Sequence, residues 1–154
     1  IHNGILTGRL HSAATAALLN EEVTGNARAI NFSYEPIVRM TATYIGGGEL
    51  TLEELLAPIE LGVYIHDFNH GSGMSTFTIA PNKAYLLRNG KQAEPVRLSV
   101  VTGSVMHTLH EIDGLTKDVK VCSLSTGGCG KMEQWPLRVA FGGPYVRVRN
   151  IQVQ

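Results

Sequence analysis

Four stretches of this chain bring together residue types that do chemistry. In "STGGCGKMEQWP", residues 125–136, Cys129 stands between Gly128 and Gly130 with Lys131 close behind. Glycines let a backbone turn through left-handed conformations and let another group approach closely, so this cysteine is either a displayed thiol or a small residue in a tight turn. As a nucleophile it would be activated by the positive charge of Lys131, but no cysteine-protease signature surrounds it. As a phosphate cradle the stretch fails on pattern. A P-loop needs Ser or Thr after its lysine, where Met132 stands, and a glycine at position 125, where Ser125 stands.

The second stretch, "HDFNH", sets His66 and His70 four apart. On a helix that spacing would aim two imidazoles at one zinc ion, but the flanking residues predict a strand end followed by a "GSG" loop. Surface or hydrogen-bonded loop histidines are the expectation. The third, "MHTLHEI", places His107 and Glu111 opposite a Val105/Met106/Leu109/Ile112 helical stripe, with His110 at its border. Its H-x-x-H-E spacing matches neither H-E-x-x-H nor the inverse. The fourth, "YVRVRNIQV", alternates arginines onto one face of a strand, which predicts a solvated sheet face before a basic binding strip.

The elements that must position these residues are short and mixed. "SAATAALLN" (Ser12 to Asn20) has a serine N-cap, good helix formers and an asparagine stop. "IVRMTATYI" (Ile37 to Ile45) is β-branched and aromatic enough for a strand, ended by three glycines. Thr51 and Glu54 form a capping box for a helix that Pro58 kinks or ends. "GVYIHDF" and "TFTIA" alternate as strands, Asn89-Gly90 marks a hairpin, and "DVKVC", "LRVAF" and "YVRVRNIQV" are further strands. No regular βαβ alternation appears. The expected class is α+β, with a largely antiparallel sheet and a few short helices.

Composition narrows the function. The chain has 154 residues, 44% of them hydrophobic, with 17 glycines, which fits an ordered, turn-rich single domain. Lys+Arg and Asp+Glu balance at 13 each, which gives no global argument for nucleic-acid or anionic-membrane binding. The two cysteines, Cys122 and Cys129, are too few for a secreted disulfide framework and too widely spaced for a zinc knuckle. A reducing, cytoplasmic compartment and the absence of a membrane span are expected. The opening "IHNGILTGRL" has no initiator Met and reads as the middle of a longer chain, so a preceding segment is expected.

Taken in order, "NGILTGRL", "TGNAR", "RMTATYI", "TLEELLAPIELGVYIHDF", "AYLLRNGKQAEPV" and "CGKMEQWP" leading to "GGPYVRV" resemble the C-terminal part of the TldD/PmbA family. Its members were once described as modulators of DNA gyrase and are understood as peptide-processing metalloproteases. The resemblance runs nearly end to end and implies one C-terminal domain over residues 1–154. In TldD-type members an H-E-x-x-x-H helix in a preceding segment binds zinc, and the cysteine of a C-G-K motif completes the site; that cysteine is Cys129 here. A soft thiolate and two imidazoles leave one zinc position open, and the helix glutamate serves as general base.

No H-E-x-x-x-H occurs in this chain. The resemblance therefore implies that residues 1–154 supply one zinc ligand, part of a peptide-binding cavity and no catalytic residue, and are inactive alone. It assigns no substrate-binding residues. It further implies a peptide substrate and a homo- or heterodimer with a family member. The alternative is a non-catalytic TldE/PmbA-type partner that binds peptide, by adding it as a strand to a sheet edge, and mediates dimerisation. Retention of C-G-K favours the catalytic type. Two departures stand out: Glu133 replaces the usual glycine before Gln134, and "HDFNHGSGMSTF" is shorter than the family's glycine-rich loop.

Overall fold

The computed structural model describes residues 1–2, 5–123 and 127–154. In chain order the elements are α1 (Ala13–Leu19), β1 (Ala27–Arg28), β2 (Ile37–Val38), β3 (Ala42–Tyr44) and α2 (Leu52–Leu56). There follow β4 (Leu61–Gly73), β5 (Thr76–Arg88), β6 (Lys91–Val96), β7 (Val101–Ser104), α3 (Val105–His110) and β8 (Ile112–Leu115). The chain closes with β9 (Lys120–Ser123), β10 (Cys129–Lys131), β11 (Gln134–Leu137), β12 (Ala140–Gly143), β13 (Val146–Val148) and β14 (Gln152–Val153). This is the expected α+β class. The pairs β1/β2, β4/β5, β5/β6, β5/β7, β7/β14, β8/β13 and β10/β11 are antiparallel, and β3 meets β12 in parallel.

Two compact units partition the described residues. The first holds Ile1–Ile45 and Lys120–Gly142. Its α1 starts where expected: the Ser12 hydroxyl accepts from the Thr15 amide, the Thr15 hydroxyl accepts from the Ser12 amide, and Asn20 ends the helix in the left-handed conformation. Ala16 is the helix's buried residue. Hairpin β1/β2 pairs Ala27 with Val38 and Arg28 with Ile37. Sheet β3-β12-β9 and hairpin β10/β11 complete the unit.

The single strand expected over Ile37 to Ile45 is a correction: it breaks into β2 and β3. The Arg39 amide still donates to the Asn26 carbonyl at 2.9 Å, in register with the β1/β2 ladder, and beyond it the chain changes partner, with Ala42 to Tyr44 pairing with β12.

The second unit holds Gly46–Val119 and Gly143–Gln154. The Thr51/Glu54 capping box forms as expected, with the Glu54 carboxylate accepting from the Thr51 amide at 2.8 Å. Helix α2 runs only to Leu56 before Pro58, and it buries Leu55. The unit is organised by β4 and β5, thirteen residues each, paired from Leu61↔Arg88 to Gly73↔Phe77. The other edge of β5 takes β7 along Thr76 to Ile79 and β6 along Ala84 to Arg88, with β14 beyond β7. Asn89 (φ 49°) and Gly90 (φ 73°) make the β5/β6 turn, and Gly90 sits so close to the Ala57 backbone that a Cβ would lie 2.9 Å from it. Leu55, Ala84, Leu87 and Val101 are the unit's buried apolar residues.

Two further expectations are corrected here. "GSG" (residues 71–73) is no loop but the last three residues of β4, paired with β5. Helix α3 is six residues long, too short to build a face: Met106 and Leu109 are exposed, and Ile112 belongs to β8.

Candidate functional site

Cys129 opens β10 in the first unit and is half-buried. The hairpin that carries it pairs Cys129 with Leu137 and Lys131 with Gln134, and turns at Met132, which adopts φ 53°. On the N-terminal side Gly128 has φ 150°, and a Cβ there would lie 2.2 Å from the Leu137 carbonyl oxygen. Only glycine fits, because the obstacle is backbone and cannot move aside. Ser125 and Thr126, which belong to the motif, lie outside the described residues.

A segment almost a hundred residues earlier holds this hairpin by side-chain-to-backbone bonds. Arg39 donates from Nη2 to the carbonyls of Cys129 (2.7 Å) and Gln134 (3.3 Å). Lys131 Nζ donates to the Val38 carbonyl at 2.7 Å, so the ammonium expected beside the thiol is engaged with β2. The Gln134 side chain donates to the Glu35 carbonyl at 2.8 Å and accepts from the Ile30 amide at 3.2 Å. Arg28 bridges the Met40 and Arg138 carbonyls at 2.8 and 2.9 Å. Gln134 is 5% exposed, so each of its bonds replaces one to water, and leaving a buried group of this kind unpaired costs about 1–3 kcal/mol.

Against this tied backbone the thiol is lightly held. Cys129 Sγ has a weak contact with the Gly130 carbonyl at 3.8 Å, and neither Cys129 nor the exposed Cys122 is in a disulfide. A displayed, free sulfur on a fixed loop fits the chemistry of a soft metal ligand.

The other candidates go elsewhere. His66 and His70 are exposed on β4 in the second unit, and the His66 ring meets Tyr64 edge-on at 6.1 Å. Burial and the neighbouring Tyr145 push the Tyr64 hydroxyl up to about 12. His107 and His110 are exposed on α3, and Glu111 accepts a hydrogen bond from Asn150 at 2.9 Å. Among the described residues no three His, Cys, Asp or Glu side chains gather closely enough to hold a metal ion.

Composition and spacing missed His11. It is 2% exposed, with Nε2 2.7 Å from Glu21 and Nδ1 3.1 Å from the Thr15 hydroxyl. The pair backs a cavity of about 520 Å³ lined by Leu6, Arg9, Glu21 and Thr24 among others, and Arg9 also bonds Glu21. The His11 hydrogen bond holds the Glu21 carboxyl below its ordinary value.

The arginine strip is paired as well as exposed. Arg147 and Arg149 both bond Asp113 of β8, the former at 2.6 Å, and Arg147 also donates to the Leu55 carbonyl at 2.6 Å. Arg149 is exposed, as expected of a solvated face, while Arg147 is half-buried, and both are ion-paired to the neighbouring strand. The Arg147 bond, assisted by Arg149, holds the Asp113 carboxyl below its ordinary value against a smaller opposing effect of burial. A depressed folded-state carboxyl contributes stability that is present above the unfolded value of about 4 and is lost as pH falls through the lower folded value. The thermal midpoint should therefore drop between about pH 5 and pH 3, and Asp113→Asn should make that drop shallower. An unchanged slope in the variant would show that Asp113 is not one of the groups responsible.

The PmbA/TldA metallopeptidase C-terminal domain family matches residues 1–154. A metalloprotease of Synechocystis is 43% identical over 154 residues, which is 99% of this chain and 33% of that protein. A zinc metalloprotease TldD homolog of Saccharolobus solfataricus is 33% identical over 155 residues, covering 99% of this chain and 34% of that one. The chain thus spans about a third of the length of the curated relatives it matches. Among solved structures, TldE from Thermococcus kodakarensis superposes with a TM-score of 0.75 at 19% identity, over 99% of this chain and 32% of its own, which bears on the fold. No helix among the described residues is long and apolar enough to cross a membrane. With the family matched along its whole length and relatives above 30% identity across nearly all of it, the chain belongs to the TldD/PmbA metallopeptidase family as its C-terminal domain.

Proposed function

We propose that the intact protein is a zinc-dependent peptidase acting on small or unfolded peptides, in which residues 1–154 contribute Cys129 as one zinc ligand and part of the peptide-binding cavity. The observation that carries this reading is the Cys129 hairpin: a free, half-buried thiol on a backbone tied down from both strands. Bound zinc would supply a Lewis acid for hydrolysis of the peptide bond. The part played by this chain is to present the thiolate in one geometry and to keep the neighbouring cation, Lys131, occupied with the Val38 carbonyl.

The remaining ligands and the general base are assigned to the segment that precedes this domain in the longer relatives. The protein works in the cytoplasm as a homo- or heterodimer with a family member. Residues 1–154 form one domain of it.

Chelation tests the reading. Dialysis of the intact protein against a zinc chelator should abolish cleavage of a short unstructured peptide, and added zinc should restore it. Residues 1–154 alone should bind no stoichiometric zinc at neutral pH. Cleavage that survives metal removal would contradict the peptidase mechanism, and tight zinc binding by residues 1–154 alone would contradict the division of ligands.

A further inference from the structure

Arg39 is a buried cation whose side-chain hydrogen bonds go to backbone carbonyls. It is 2% exposed, and among the described residues it forms no ion pair with a carboxylate. Two of its nitrogens, Nε and Nη1, are buried and have no hydrogen-bond partner among the described residues. Desolvating a charge and leaving donors bare both oppose folding.

Its one productive group is Nη2. That nitrogen donates to the Cys129 carbonyl at 2.7 Å on β10 and to the Gln134 carbonyl at 3.3 Å on β11, so one rigid fork spans both arms of the hairpin. The carbonyl of Cys129 lies in the peptide plane between Cys129 and Gly130. Holding that plane, together with the pairing of Cys129 and Leu137, restricts the rotation about the Cα–C bond that sets where the Cα–Cβ bond of Cys129 points. The flanking residues, Gly128 and Gly130, have no side chains with which to do so.

We infer that Arg39 is a positioning residue for Cys129, retained at a cost in stability because it aims the thiol at the metal. The inference rests on the reading of Cys129 as a zinc ligand. Partners that orient a ligand typically change metal affinity by about 10- to 100-fold when removed, and that is the size of effect expected here.

The test compares Arg39→Met, Arg39→Lys and Cys129→Ser in the intact protein, reading zinc affinity by chelator competition and the thermal midpoint of each metal-free form. Arg39→Met removes the charge and the bare donors while keeping the bulk. The two carbonyls lose a donor while the bare nitrogens and the buried charge are removed, so the metal-free midpoint should change little, and zinc should weaken about 10- to 100-fold. Arg39→Lys keeps a donor for the two carbonyls and should recover most of that affinity. Wild-type zinc affinity in Arg39→Met would overturn the inference. So would a metal-free midpoint that falls in step with affinity, or a protein that no longer folds, since either makes Arg39 a structural residue; a Lys variant as weak as the Met variant would overturn it as well. If Cys129→Ser itself binds zinc like the wild type, the ligand reading has failed and the inference fails with it. Loss in Cys129→Ser without loss in Arg39→Met strikes the inference alone.

Discussion

Cys129→Ser in the intact protein is expected to lower zinc affinity by at least about 100-fold and peptidase activity in parallel, while leaving the fold in place. The magnitude follows from the ligand's rank: partners that only orient a ligand are worth about 10- to 100-fold, and a ligand should be worth no less. The fold should survive because the Cys129 side chain has only a 3.8 Å contact with the Gly130 carbonyl, while the bonds that hold the hairpin run through backbone carbonyls and through Lys131, Arg39 and Gln134. Serine keeps the backbone and nearly the same volume but is a much poorer ligand for a soft metal site. Cys122→Ser is the control: Cys122 is exposed on β9, and its loss should change neither quantity. Zinc content and peptide cleavage by coupled measurement on the same preparations check the result, and normal zinc with full activity in Cys129→Ser would remove the basis of the functional reading.

The second large effect is on the architecture that displays the thiol. Gly128→Ala places a methyl 2.2 Å from the Leu137 carbonyl oxygen and 2.7 Å from its carbon, in a residue whose φ is already 150°. The dihedral alone costs an L-residue about 1–3 kcal/mol. The contact adds a cost of about 1–3 kcal/mol or more, because both atoms it meets are backbone and no rotamer change relieves it. Leu137 is the strand partner of Cys129, so the strain falls directly on the pairing that sets the thiol. A loss of about 3 kcal/mol or more is expected, together with weakened zinc binding. Gly127→Ala isolates the two terms: its φ is 81°, but a Cβ there meets nothing within 4 Å, so it should pay only the dihedral. Chemical denaturation of the three proteins measures the difference, and equal stabilities for the two alanine variants would show that the β10/β11 pairing is looser than described.

These two residues also mark how far the amino-acid pattern reaches. Local rules located what local chemistry determines: the Ser12 cap and Asn20 stop of α1, the Thr51/Glu54 capping box and the Asn89-Gly90 turn. Each of those is decided within about four residues. Arg39 escaped notice because its partners, Cys129 and Gln134, lie 90 and 95 residues away, and within "IVRMTATYI" it looks like an ordinary polar position of a strand. The same holds for Gln134, whose side-chain partners Ile30 and Glu35 lie about a hundred residues earlier. His11 stands one residue before a helix cap and carried no motif, yet folding brings Glu21 to it across α1. Strand lengths were misjudged where one run of residues changes pairing partner, between β2 and β3, or where glycines continue a ladder, at residues 71–73.

The role of Arg28 in the same frame follows from that geometry. It clamps the Met40 and Arg138 carbonyls, so the segment bearing Arg39 and the segment following β11 are held by one guanidinium while Arg39 holds the hairpin itself. The hairpin is thus held by two arginines, Lys131 and the Gln134 amide, all bonding backbone.

Cobalt substitution tests the central claim most directly. When Co²⁺ replaces zinc in the intact protein, a thiolate ligand produces a strong sulfur-to-metal charge-transfer band in the near ultraviolet, whereas nitrogen and oxygen ligands do not. The account predicts that band in the wild-type and Cys122→Ser proteins and its disappearance in Cys129→Ser. A cobalt-loaded wild-type protein without the band, or a band that persists unchanged in Cys129→Ser, would contradict the assignment of Cys129 as a metal ligand.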